Sequence, residues 1–254
     1  MKPANLLLLE ENLKALKLPH MLSHFAEQSR QASEEGLSHG DFLLELTDIE
    51  LQARAENRNK RRLREARFPL AKTLNAFDFK AVPDLDKRKI LELASCDYIK
   101  ERRNIIFMGR SGTGKTHLAT ALGIEACLKN CKTRFIPGYA LANELIEAYD
   151  DKELSRIINR YSRCDLLILD ELGYVPFSQK GAELLFQVMA ERNERGSIII
   201  TSNLGFGDWT RIFGDATMTA ALLDRLTHNA HIIECNWDSY RLRQTMRRKK
   251  RSGP

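Results

Sequence analysis

Residues 109–116 of this 254-residue chain read GRSGTGKT, which satisfies the pattern G-x-x-x-x-G-K-[ST]. The octapeptide lies between the apolar run NIIFM and the helical pattern HLATALGIEACLKN, the context in which such a loop binds phosphate. Glycines allow the backbone N–H groups to face phosphate oxygens at a helix N-terminus. We predict that Lys115 reaches the β- and γ-phosphates of a nucleoside triphosphate and that Thr116 binds Mg²⁺. The predicted nucleotide contacts are Gly109, Arg110, Ser111, Gly112, Thr113, Gly114, Lys115 and Thr116.

A pair of acidic residues ends the segment CDLLILDELG. The four apolar residues at 166–169 predict a buried strand, and Asp170 follows at its C-terminal end, where ligands bind in open α/β sheets. We predict that Asp170 holds Mg²⁺ through a water. Glu171 is placed to polarise an attacking water, a step that a hydrolase needs and that most small-molecule kinases do not.

Two further residues could complete such a site. Asn203 follows the apolar run SIIIT, and it would lie near the γ-phosphate if that strand runs between the other two. Arg225 lies on a predicted helix just before the last strand. It could be an arginine finger that reaches the γ-phosphate held by a neighbouring subunit. The alternatives for Arg225 are a salt bridge with Asp224 and an ordinary surface charge.

Short apolar runs separated by helix-length segments occupy the second part of the chain. This pattern predicts an α/β fold with a buried five-stranded parallel sheet and helices on both faces. The predicted strands are 104–108, 133–136, 166–169, 197–201 and 231–234.

Residues 1–68 read as a small all-helical domain. Pro19 suits the first turn of a second helix, and Phe42, Leu46 and Ile49 lie on the apolar stripe of a third. We predict four regions along the chain: the helical domain 1–68, a linker with a short helix at 69–98, the ATPase core 99–240 and a basic tail at 241–254.

The formal charge of +6 is concentrated in two segments. Residues 54–67 hold seven basic and two acidic residues, and residues 241–254 hold seven basic residues and no acids. Such patches favour a polyanionic partner, although a solvated helix surface is an open alternative for 54–67 and for the tail. The predicted DNA contacts are Arg54, Arg58, Lys60, Arg61, Arg62 and Arg64.

Composition argues against several classes of protein. No apolar run approaches the roughly 18 residues of a membrane span, and the start has no small-residue cleavage site. Five cysteines without a C-x-x-C pair argue against a disulfide framework. We therefore expect a cytoplasmic protein without a membrane partner.

Together these elements resemble the AAA+ ATPases of the helicase-loader and initiator branch. The closest resemblance is to the IstB-like ATP-binding proteins, the transposition helpers of bacterial insertion sequences. It covers nearly the whole chain and is most specific in DELGYVP, LLFQVMAERNERGS and NWDSYR. The phosphate loop reads GRSGTGKT where many relatives have GPPGTGKT, and Gly205 stands where relatives often carry proline; neither change removes a chemical group from the site.

This resemblance implies ATP binding at a subunit boundary, a ring or spiral of identical subunits on duplex DNA, and delivery of a target site to the transposase encoded beside it. It assigns Asn203 as a sensor and Arg225 as the finger in trans. The 20 residues after Glu234 are too few for the helical lid of many AAA+ cores, so we expect that lid to be absent or vestigial. Arg241 and Arg243 are candidate substitutes for its sensor arginine.

Two other functions are compatible with parts of the pattern. A replicative helicase loader would share the core and the NWDSYR segment, but would act on single-stranded DNA with a helicase. A small-molecule kinase would share the phosphate loop, but Asp170, Glu171 and Arg225 count against it.

Overall fold

The computed structural model describes residues 3–240. Its N-terminal region is helical, as predicted, with helices α1 (Pro3–Ala15), α2 (Pro19–Glu35) and α3 (His39–Ala66). Pro19 occupies the first turn of α2, and Gly36 ends that helix in the left-handed conformation, as glycine does at many helix ends. Among residues 3–240, no helix is long and apolar enough to cross a membrane.

Strands and helices alternate in the rest of the chain. Each of the five predicted strands is present, within one to three residues of its predicted bounds. The strands are β1 (Asn104–Gly109), β2 (Thr133–Pro137), β3 (Leu166–Leu172), β4 (Ser197–Ser202) and β5 (Ala230–Cys235). The helices are α4 (Lys87–Leu93), α5 (Asp97–Lys100), α6 (Lys115–Leu128), α7 (Gly138–Asp150), α8 (Leu154–Ser162), α9 (Gln179–Arg192), α10 (Thr210–Phe213) and α11 (Ala216–Thr227).

The strands form one parallel sheet in the order β2-β3-β4-β1-β5. Strand β4 lies between β1 and β3, so Ile199 is paired with Ile105 on one side and with Ile168 on the other. Because the strands are parallel, the residues that follow β1, β3 and β4 meet at one edge of the sheet. This confirms the arrangement on which the prediction for Asn203 depends.

Both faces of the sheet are covered by helices, as predicted. In β1, Ile106 and Met108 pack into a core formed with α7 to α11, while Ile105 and Phe107 face a second core formed with α4 to α6. Burial on both faces explains why the strands read as continuous apolar runs rather than as alternating patterns.

The chain divides into two compact units, Met1–Arg61 and a second unit that begins at Arg62. The functional boundaries proposed at residues 68 and 98 stay predictions. The basic tail predicted at 241–254, with Arg241 and Arg243, lies outside the described residues.

Candidate nucleotide-binding site

The phosphate loop connects β1 to α6. Gly109 is the last residue of β1, and Gly114 precedes the first turn of α6. Lys115 is 9% exposed, and its Nζ donates to the carbonyl oxygens of Gly109 at 2.7 Å and Arg110 at 2.8 Å. The loop therefore curls around its own lysine at a helix N-terminus, where anions bind.

Asp170 joins the phosphate loop to the ends of two strands. Its side chain is buried, and Oδ1 accepts hydrogen bonds from the Thr116 hydroxyl at 3.0 Å and from the Thr201 hydroxyl at 2.6 Å. Hydroxyl and carboxylate oxygens are hard ligands, and Mg²⁺ is commonly bound by one or two carboxylates together with substrate phosphates. Thr116 and Asp170 therefore fit a Mg²⁺ ion that accompanies a nucleotide.

Glu171 lies in a β-bulge. The register between β3 and β4 shifts between Leu169 and Leu172, and Glu171 adopts a left-handed backbone conformation with φ of 56°. Its backbone N–H donates to the Thr201 hydroxyl at 2.9 Å, and its side chain is exposed. Bulges redirect side chains at sheet edges and near active sites, and here the bulge exposes a carboxylate beside a buried one.

A cavity of about 360 Å³ brings the predicted residues together. Its lining includes residues 111–116 of the phosphate loop, Glu171 and Asn203. Asp170 is not part of this lining, but it accepts a hydrogen bond from Thr116, which is. The volume is in the range of small-molecule sites.

A second wall of the cavity was not anticipated as a site. It is formed by Lys72, Ala76, Phe77, Asp78 and Val82, together with Tyr240. No pattern in the sequence marked these residues as a binding element, although Tyr240 belongs to the NWDSYR segment on which the family resemblance rests.

His117 holds this second wall to α6. Its Nε2–H donates to the Thr73 carbonyl at 2.9 Å, and its ring meets the Phe77 ring edge-on, with centroids 5.1 Å apart. Burial lowers the pKa of His117, which its bond to the Thr73 carbonyl opposes. The wall is thus fixed to the helix that carries Lys115 and Thr116.

Thr201 is a site residue that sequence reasoning missed. The sequence predicts it only as the last residue of the apolar strand 197–201. In the structure it is 1% exposed, and its hydroxyl donates to Asp170 and accepts from the Glu171 backbone. A hydroxyl at the end of an otherwise apolar strand was the available signal.

Replacing Thr201 with Val should lower kcat for ATP hydrolysis by about 10–100-fold, because partners that orient ligand residues commonly have effects of that size. The matched control is Thr120→Val on α6, where the hydroxyl is buried and has no partner among the described residues. Steady-state turnover and thermal unfolding should be measured for both variants. Equal turnover in both would show that the Thr201 hydroxyl does not organise the acidic pair.

Arg225 lies outside the nucleotide cavity of its own chain. It is exposed on α11, with its guanidinium carbon 5.4 Å from the centroid of the Phe186 ring. It borders another cavity, of about 520 Å³, with Asn104 and Asn229 at the N-terminal ends of β1 and β5. The ion pairs found among the described residues do not include Arg225, so the alternative of a salt bridge with Asp224 is not realised. Its role in trans stays a prediction.

The six predicted DNA-contact residues differ in their surroundings. The Arg54 side chain donates to Glu50 at 2.8 Å and to the Lys17 carbonyl. Arg62, 14% exposed at its side chain, donates to Asn130 at 3.2 Å. Arg54 is exposed, as are the remaining four, of which Lys60 pairs with Glu56 at 3.7 Å: Arg58, Lys60, Arg61 and Arg64.

The parallel five-stranded sheet, the phosphate loop and the acidic pair define a P-loop ATPase core of the AAA+ class. Comparison with solved structures agrees with this fold: AMPPCP-bound DnaA from Aquifex aeolicus superposes with a TM-score of 0.58 over 73% of this chain and 56% of that one, at 19% identity.

The chain belongs to the IstB-like ATP binding protein family, whose model matches residues 11–248. It is 36% identical to the ATP-binding protein of insertion sequence IS5376 from Geobacillus stearothermophilus, over 93% of this chain and 94% of that protein. It is 37% identical to the ATP-binding protein of insertion sequence IS21 from Pseudomonas aeruginosa, over 93% and 89%. The protein is therefore an ATP-binding enzyme that hydrolyses ATP.

Proposed function

We propose that this protein is a DNA-binding ATPase that assists a transposase in choosing and using target DNA. The observation that carries the ATPase half is the Thr116–Asp170–Thr201 bridge, which places a buried carboxylate beside the phosphate loop while Glu171 and Asn203 face the same cavity. Support for the transposition half comes from the relatives, which are named as ATP-binding proteins of insertion sequences.

In this proposal the phosphate loop binds the triphosphate and Lys115 neutralises part of its charge. Thr116 and Asp170 would hold Mg²⁺, which would offset the negative charge that develops during phosphoryl transfer. Glu171 accepts a proton from the attacking water, and Asn203 orients that water. The exposed carboxylate of Glu171 and its position on the cavity wall support this division of roles.

Arg225 completes the site of a neighbouring subunit. An exposed arginine far from its own phosphate loop can act on a phosphate only if another copy presents one. Interfaces of this head-to-tail kind generate rings or spirals, so we propose a homo-oligomer in which each subunit supplies Arg225 to the next.

Duplex DNA is the proposed polyanion, and the bacterial cytoplasm is the compartment in which the protein would meet it. Four exposed cations of α3, namely Arg58, Lys60, Arg61 and Arg64, are the proposed phosphate contacts. Arg54 and Arg62 act mainly within the protein, because each is already bonded to a distant part of the chain. Phosphate contacts carry little base information, so binding should depend weakly on sequence.

Replacing Arg58, Lys60, Arg61 and Arg64 together with glutamine should weaken binding to a 40-bp duplex at least about tenfold and flatten its salt dependence by up to about four units of slope. Fluorescence anisotropy at several salt concentrations measures both quantities. The matched control replaces four other exposed cations that each pair with a nearby acid: Arg30, Lys100, Arg156 and Arg211. Affinity within about twofold of the unmodified protein, or an equal loss in the control, would assign the α3 cations to solvated surface.

A reconstituted insertion reaction tests the proposed function as a whole. The transposase encoded beside this protein is combined with donor-end DNA, a target plasmid, and ATP, with or without this protein. We expect insertion to depend on both this protein and ATP. Insertion that is indifferent to the protein, together with ATP-dependent binding to a replicative helicase on single-stranded DNA, would favour the helicase-loader alternative.

A further inference from the structure

The segment that follows β5, residues 236–240, runs along the phosphate loop, and we call it the strap. Trp237 is 8% exposed, and its indole N–H donates to the Thr113 carbonyl at 2.8 Å. The backbone N–H of Tyr240 donates to the Gly112 carbonyl at 3.0 Å. Two consecutive peptide groups of the loop are therefore held by the strap through their carbonyl oxygens.

Holding a carbonyl fixes the direction of the neighbouring N–H. In a trans peptide the C=O and the N–H point in opposite directions, and no cis peptide occurs among the described residues. The Gly112 carbonyl shares a peptide with the Thr113 N–H, and the Thr113 carbonyl shares one with the Gly114 N–H. The strap thus directs the N–H groups of Thr113 and Gly114 away from itself, and both residues line the nucleotide cavity.

The loop's own sequence does not fix these two peptide planes. Gly112 and Gly114 flank Thr113 with φ of 79° and 100°, and glycine can reach other conformations at little steric cost. Ser239 of the strap lies directly against Gly112, where a side chain at position 112 would collide with it. The orientation of the loop therefore depends on contacts from residues such as Trp237, 124 positions further along the chain than Thr113.

We propose that Trp237 is a positioning residue for the ATP site, and that the strap holds the phosphate loop in the orientation in which the Thr113 and Gly114 N–H groups face the triphosphate. This inference rests on the proposed function, which assigns the loop as the ATP site. Trp237 acts through Thr113, and it is not among the residues that line the cavity.

Trp237→Phe removes the indole donor and keeps an aromatic ring. Without the bond, the Thr113–Gly114 peptide can rotate, so a smaller fraction of the protein is competent to bind ATP. The apparent dissociation constant rises in inverse proportion to that fraction. We expect a fluorescent ATP analogue to bind about tenfold more weakly, given the cost of leaving a buried carbonyl without its donor. Equilibrium titration of the full-length protein, without DNA, measures this.

The matched control is Trp209→Phe. Trp209 is fully buried and packs against Phe206 and Phe213, but its indole nitrogen has no hydrogen-bond partner among the described residues. This variant should lose thermal stability and keep its ATP affinity. A loss of affinity in Trp237→Phe alone supports the positioning role, whereas unchanged affinity, or an equal loss in both variants, overturns it.

Two further proteins keep the test decisive. Benzothienylalanine at position 237 replaces the indole N–H with sulfur at nearly constant shape, and it should reproduce the loss of affinity even if Trp237→Phe folds poorly. Lys115→Ala reports on the assignment of the loop. If Lys115→Ala abolishes ATP binding and the position-237 proteins retain it, only the strap inference fails; if Lys115→Ala retains binding, the assigned ATP site fails and the inference with it.

Discussion

Replacing Glu171 with Gln is expected to lower kcat for ATP hydrolysis by about 10³-fold, the usual scale for removing a general base. Glutamine has nearly the shape of glutamate, so the β-bulge and the bond from the residue 171 N–H to Thr201 should persist. Its amide cannot accept a proton from water at neutral pH. Steady-state turnover at saturating ATP, with duplex DNA present, measures the loss.

The same change should leave ATP binding within about twofold of the unmodified protein, because the phosphate loop and Lys115 are untouched. Glu183→Gln is a matched control, since Glu183 is exposed on α9 and accepts a hydrogen bond from Gln179 at 3.3 Å. Its turnover should be unchanged. Full activity in Glu171→Gln would remove Glu171 from the role of base.

Replacing Arg225 with Ala is expected to reduce turnover in the assembled protein by about 10³-fold, within the range measured for arginine fingers. The isolated subunit should still bind ATP, because Arg225 lies outside its own nucleotide cavity. Turnover is measured on duplex DNA, and ATP affinity is measured on dilute protein without DNA.

Two controls separate this role from a structural one. Arg225 lies over the Phe186 ring, a contact worth about 0.5–1 kcal/mol at an exposed site, so a small fall in thermal stability is expected. Arg156→Ala removes another exposed arginine, which lies on α8 and pairs with Glu153, and should leave turnover unchanged. Normal turnover per subunit for Arg225→Ala within a confirmed assembly would contradict the proposed finger.

The strands and the phosphate loop were predictable because their signals are local. A strand buried on both faces reads as a continuous apolar run, and GRSGTGKT places glycine, lysine and threonine at fixed spacing. The prediction that Asn203 lies near the phosphate loop required only that β4 run between β1 and β3. The order of the strands in the sheet satisfies this condition.

Features that depend on distant parts of the chain were not predictable. Thr201 gains its role from the register of β3 against β4 and from the bulge at Glu171. Trp237 gains its contact with Thr113 only when β5 pairs with β1. The spacing of residues within a motif carries no information about such contacts between distant parts of the chain.

The DNA contacts predicted on α3 show that a count of charges, like a motif, says nothing about distant partners. Six of the seven cations at 54–67 were equivalent candidates for DNA contact in the sequence, but tertiary partners separate them. Arg54 bonds to Lys17, 37 positions away, and Arg62 bonds to Asn130, 68 positions away. Only the structure shows that Arg54 and Arg62 are bonded to distant parts of the chain.

Mixing two inactive variants tests most directly whether neighbouring subunits share each ATP site. Arg225→Ala retains Glu171, and Glu171→Gln retains Arg225, so a boundary between them can contain one intact site. In an equal mixture assembled on duplex DNA, random placement predicts recovery to about a quarter of the unmodified turnover. Turnover that stays at the level of the separate variants, in assemblies shown by cosedimentation to contain both, would contradict a site completed by a neighbour.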